Sequence, residues 1–195
     1  MTTRIQSCAT HWLVVLALSG VTPLLASAET SRWGAYLRSP NPETYRLLAD
    51  ELRSCHDAEC SKEVRPSSSD VAQLLRIVDR GDRWATDIAF LSIHLLDGGD
   101  LEDVMRSVSS LSEHHPSLLL QMIEEHQLSD AQIERLLRML PLHSVDDQGE
   151  KRRIVERRIK SLSTVSDPKL TRVRNLSIAS LKRLLSELKG APSGQ

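Results

Sequence analysis

The sequence predicts an all-α fold, and three observations predict it. Apolar residues after Pro40 recur at i, i+3, i+4 and i+7 in almost every segment, and nowhere do apolar and polar residues alternate for long enough to make a strand. Aromatic residues make up only 3% of the chain, so the core must be built from Leu, Ile, Val and Ala, which suits helix-on-helix packing better than a sandwich. Capping residues and glycine or proline stops punctuate the segments at short intervals, which marks short helices joined by tight turns.

The elements follow in order. Residues 1–28 read as a cleaved secretory signal: Arg4, an apolar run from Trp12 to Leu25, then Ala26-Ser27-Ala28 before Glu29. The run is shorter than the ~20 apolar residues that a membrane span needs, and Ser19, Gly20, Thr22 and Pro23 interrupt it. The expectation is export without a transmembrane anchor, to the periplasm or the medium. The basic residues are mostly arginine, a coding bias expected of a GC-rich bacterial genome.

The mature chain, 29–195, is of ordinary size for one domain. Its first part, 29–64, carries a helix opened by Asn41 as N-cap with Pro42 at the first helical position. Cys55 and Cys60 follow. In an oxidising compartment an even pair this close in sequence is expected to be bonded to itself as a staple, since redox motifs usually place two residues between the cysteines, not four.

Arg65-Pro66-Ser67-Ser68-Ser69 reads as a flexible joint, and Asp70 as the start of a helix bearing Val71, Leu74, Leu75 and Val78. From Asp82 to Leu96 apolar residues occupy nearly every side, the mark of a central, buried helix. Asp97-Gly98-Gly99 ends it, and Asp100 with Asp103 makes a variant of the capping box for the next helix. His114-His115-Pro116 breaks that helix, Leu118 to Ile123 resumes the pattern, and Ser129 or Asp130 caps a further one. Ile154, Val155, Ile159 and Leu162 define the next helix, Asp167-Pro168 opens a short one, and Ile178 to Leu188 line the last, stopped at Gly190. About nine helices at about 30 to 35 residues per pair predict antiparallel pairs stacked as repeats over 69–165, followed by basic helices over 166–190, with an irregular helical bundle as the alternative.

The stretch Trp84-Ala85-Thr86-Asp87-Ile88-Ala89-Phe90, with Leu95-Leu96-Asp97-Gly98 and Leu101-Glu102-Asp103-Val104, resembles the helix-turn-helix unit of HEAT-like α-solenoids. The resemblance implies a curved, protein-binding scaffold without chemistry of its own.

Several chemistries lack their signatures. There is no G-x-S-x-G elbow, and Gly98-Gly99 lies between helices without the Gly-Lys-Ser of a phosphate loop. Asp97, Asp100 and Asp103 lack the ligand spacing of a calcium hand. His114, His115, Glu124, Glu125 and His126 have no recognised metal-ligand spacing, so no metal or cofactor is expected.

Charge is the informative feature. Residues 29–149 hold 12 basic and 22 acidic side chains, while 150–195 hold 12 basic and 4 acidic. Either the two regions pair internally or they present docking surfaces to a charged partner. The candidate contacts are the acidic turn Asp97, Asp100, Glu102, Asp103 and the basic helix Lys151, Arg152, Arg153, Arg157, Arg158. Export and the lack of aromatics among the arginines argue against nucleic acid.

The leading expectation is an exported, non-enzymatic protein that binds another protein, one version being an immunity-type antagonist of a delivered toxin. The alternatives are a small periplasmic hydrolase with an interhelical His/carboxylate pocket drawn from His114, His115 or His126, and a self-associating structural envelope protein.

Overall fold

The computed structural model describes residues 31–55 and 58–190, and every regular element among them is helical. The expected signal segment lies outside the described residues. Ten α-helices follow in order: α1 Arg32–Arg38, α2 Pro42–Ser54, α3 Ala58–Val64, α4 Ser68–Val78, α5 Arg83–Ser92, α6 Gly98–His114, α7 Pro116–Glu125, α8 Asp130–Leu137, α9 Gln148–Ser163 and α10 Thr171–Gly190. Short 3-10 turns at Ile93–Leu95, Leu142–Ser144 and Pro168–Leu170 punctuate them. No helix among the described residues is long and apolar enough to cross a membrane.

Local chemistry explains most boundaries. Asn41 accepts from the Glu43 and Thr44 amides, and Thr44 answers the Asn41 amide, so α2 starts where its proline allows. Ser129 and Gln132 close the same reciprocal cap on α8, and Asp82 accepts the Ala85 amide at 2.8 Å to open α5. Helix α6 ends at His114, and Pro116, two residues on, begins α7.

Three expectations need correction. The segment 65–69 is not a joint: Pro66 is buried, Ser67 caps α4 with Asp70 as its reciprocal partner, and Ser68 and Ser69 are already helical. Asp100 and Asp103 do not cap α6. That helix begins at Gly98 with Asp97 at the N-cap and no side-chain cap bond. Asp100 instead accepts from Ser68 Oγ at 2.9 Å, and Asp103 pairs with Arg106. An additional helix, α1, precedes α2; Ser31 caps it, and Trp33, Tyr36 and Leu37 bury its inner face.

Helix α5 is buried nearly all round, as its composition requires. Packing centres on α6, which touches α4, α5, α7, α8 and α9, while α10 lies across α9, α8 and α7. The helices that surround α6 in space are thus the ones that flank it in sequence, α4 and α5 before it and α7 to α9 after it. One contiguous core joins these elements, with Leu74, Ile88, Val108, Leu120, Ile123 and Val155 fully enclosed. Each such side chain contributes about 1.5–3 kcal/mol by leaving water.

Cys55 and Cys60 form a disulfide that closes the turn between α2 and α3. Trp33 Nε1 donates to the Val64 carbonyl at 2.7 Å, tying the C-terminal end of α3 back to α1.

Candidate functional site

Three helices that are distant in sequence meet at Asp87. Tyr45 and Arg53 stand eight residues apart on one face of α2, and Trp84, Asp87 and Leu91 follow a single stripe of α5. His126 sits at the C-cap of α7, where Gln127 takes a positive φ of 50° and turns the chain away. Asp87 Oδ2 accepts from Tyr45 Oη at 2.6 Å and from Arg53 Nη2 at 3.0 Å, and Asp87 Oδ1 lies 2.7 Å from His126 Nε2. Phe90 stacks on the His126 ring at 4.9 Å, and Tyr45 stacks on Trp84 at 5.9 Å.

Asp87 is buried, and burial alone would push its carboxyl up; the hydrogen bonds from His126 and Tyr45 and the Arg53 charge outweigh it and hold the group below its ordinary value. Burial and the bond to Asp87 push the Tyr45 phenol up. Arg53 is held above its ordinary value chiefly by its bond to Tyr45. Asp87 is thus an anion at neutral pH, with both oxygens occupied.

These side chains line a cleft of about 240 Å³, whose other wall is Arg83 and Glu125. Arg83 Nη2 donates to both Glu125 oxygens at 2.7 and 2.8 Å, and Nη1 reaches Gln121 Oε1 at 3.1 Å. A second cavity of about 370 Å³ shares Arg53, Leu91 and His126 and extends to His94, whose Nε2 lies 3.3 Å from the Cys55 carbonyl oxygen.

His114, His115 and His126 do not converge. His126 enters the cleft, His114 is exposed at the end of α6, and the His115 ring packs against Gly81. Glu125 belongs to Arg83, and Glu124 to Arg172 at 3.2 Å. Among the described residues no three His, Cys, Asp or Glu side chains gather in a way that could hold a metal ion.

The expected contact residues are largely engaged within the molecule. Asp97 pairs with Arg65, and Glu102 with Arg106 at 2.6 Å. Arg152 Nε donates to the Leu188 carbonyl at 3.0 Å, and Arg153 pairs with Glu150 at 2.7 Å. Arg157 pairs with Glu113 at 3.0 Å.

Arg158 is not a surface residue at all. Its side chain is 0% exposed, held by Glu113 at 3.2 Å, Ser109 Oγ at 2.7 Å and the carbonyls of Leu137 and Met139 at 3.1 and 3.3 Å. No partner can reach it. Arg172 with Glu124, Arg183 with Glu134 at 2.7 Å, and Arg138 with Glu187 add further bridges between the acidic and basic regions. The two regions therefore meet and pair internally.

One edge stays open. Leu142 is 67% exposed and Val145 48% exposed, both in the segment between α8 and α9. Beside them Met139, Leu140, Leu184 and Leu188 line a cavity of about 290 Å³, with Arg106, Arg138 and Lys151 at its rim. Arg106 and Arg138 hold acids of their own; Lys151 has no acidic partner among the described residues.

Comparison of the chain with protein-family models, curated proteins and solved structures found no match.

Proposed function

We propose that this is an exported, non-enzymatic helical protein whose work is to bind another protein. The observation that supports the binding role is the Leu142–Val145 edge. Single exposed apolar residues are ordinary on a protein surface. Two in one short segment, beside an apolar cavity that Lys151 borders, make a place where a partner's apolar side chain would anchor. An immunity-type antagonist of a delivered toxin is one concrete form of this reading. Export is supported by the residue pattern of 1–28 and is compatible with the Cys55–Cys60 bond.

The test uses purified protein as bait in native envelope extract at low and moderate salt, beside a Leu142→Asp/Val145→Ser variant whose fold is checked by circular dichroism. A partner retained at both salts and lost with the variant is the expected result. Retention of nothing reproducible, or equal retention by both baits, refutes it. Terminal sequencing of protein from the envelope fraction tests the processing after Ala28.

A second reading, a small hydrolase, is favoured by one observation: the His126–Asp87 pair at the mouth of a cleft. Hydrolysis of ester or amide probes that His126→Ala abolishes would move the assignment to it.

A further inference from the structure

We infer that the Asp87 cleft is a binding site for a small oxyanion, a carboxylate or phosphate ester carried on a planar apolar group. The inference comes from the hydrogen-bonding capacity that the cleft has left over. Each carboxylate oxygen in its walls is already in use: Asp87 Oδ1 by His126, Oδ2 by Tyr45 and Arg53, and both Glu125 oxygens by Arg83.

The donors are not exhausted. Arg53 uses Nη2 on Tyr45 and Asp87 and lies 3.6 Å from Asp50 through Nη1, leaving Nε without a partner among the described residues. Arg83 uses Nη1 and Nη2 and likewise keeps Nε. Trp84 lines the cleft, and its indole N–H has no partner among the described residues. A guanidinium donates through five N–H groups and accepts nothing, and an indole nitrogen only donates. The cleft therefore keeps three N–H donors, Arg53 Nε, Arg83 Nε and Trp84 Nε1, that no acceptor among the described residues satisfies, and their complement is an oxyanion.

The remaining features narrow the class. Both guanidiniums stand about half exposed, with side-chain accessibilities of 48% and 51%, so a ligand can reach them without opening the core. Trp84 and Tyr45, stacked with planes 16° apart, form an aromatic wall that suits a flat group. A volume of about 240 Å³ limits the ligand to one of modest size. Asp87 holds Arg53 in place before anything binds, and Glu125 and Gln121 hold Arg83. The site uses none of the residues at the Leu142 edge, so each proposal stands or falls alone.

Tryptophan fluorescence tests it directly. Trp33 is buried with its indole N–H on the Val64 carbonyl, whereas Trp84 borders the cleft, so a ligand there alters the Trp84 emission. Benzoate and phenyl phosphate are titrated into the full protein up to about 10 mM, the weak end of measurable affinity, with benzamidine as a cation of the same shape. The expected result is a saturable change with benzoate or phenyl phosphate, identifying the carboxylate or the phosphate form, and none with benzamidine.

Arg83→Gln alters an exposed pair and leaves the core intact; it should weaken binding by about tenfold, the loss of one charge-assisted bond. Arg53→Gln should do the same, with far-UV circular dichroism checking its fold. The proposal is overturned if neither anion saturates, if benzamidine binds as well, or if Arg83→Gln leaves the affinity unchanged.

Discussion

Among the described residues Glu113 is the single carboxylate paired with the buried Arg158, and removing it should unseat α9 from α6. The Glu113 side chain is 10% exposed and accepts from Arg157 Nε at 3.0 Å and Arg158 Nε at 3.2 Å. Burial drives the Arg158 guanidinium below its ordinary value, and Glu113 opposes that shift. With Glu113→Ala the guanidinium keeps only neutral acceptors, Ser109 Oγ and two carbonyls, and its Nη2 already lacks a partner. Breaking a buried pair from one side costs about 3–5 kcal/mol. At ~2–4 °C per kcal/mol for a chain of this size, Tm should fall by about 6–20 °C.

Urea unfolding followed by far-UV circular dichroism, with the slope m unchanged, measures the loss. Arg158→Met removes the buried cation together with its need for a partner, so it should cost less than Glu113→Ala, and the double variant should be close to Arg158→Met alone. A loss under about 1 kcal/mol for Glu113→Ala, or strictly additive effects in the double variant, would refute the reasoning.

Three other outcomes are expected. Gly81 has φ of 77° and a Cβ there would lie 2.6 Å from the His115 ring, so Gly81→Ala should cost about 1–2 kcal/mol in backbone strain plus a clash that His115→Ala relieves, read by urea midpoint. Asp87 titrates below its ordinary 3.8, so the stability it contributes is present above pH 3.8 and fades as pH falls through the lower folded value. The Tm gap between wild type and Asp87→Asn should be constant near neutrality and narrow below about pH 4. Reduction of Cys55–Cys60, or replacement of both by Ser, should lower stability by about 2 kcal/mol without unfolding the protein, since the loop it closes is short.

Helix starts were legible wherever a cap was spelled out locally, as at Asn41-Pro42, Ser129 and His115-Pro116. They were misread where a longer-range partner decided the matter. Asp100 looks like a cap and serves Ser68, thirty-two residues away. Helix α1 carries its own signals, Ser31 before Trp33, Tyr36 and Leu37, but at seven residues it is too short for a full apolar repeat.

The cleft was not legible as a site, because Tyr45, Arg53, Asp87 and His126 converge only once α2, α5 and α7 pack. One signal for it was present. A lone carboxylate at Asp87, inside a helix apolar on nearly every side, has to find donors on its neighbours. The basic region misled in the same way: nothing in the spacing of Arg157 and Arg158 distinguishes the half-exposed one from the enclosed one.

The pairing of the acidic and basic regions has a consequence for kinetics. Opposite charges separated along the chain cancel across α6–α9, α7–α10 and α8–α10 once it folds, so little of that separation extends into solvent. Diffusional capture over distances beyond the ~8–10 Å screening length gains little from such a surface. A partner at the Leu142 edge should therefore associate at the unsteered rate of about 10⁵–10⁶ M⁻¹s⁻¹ with a shallow dependence on salt, and its affinity should be set by how slowly it leaves.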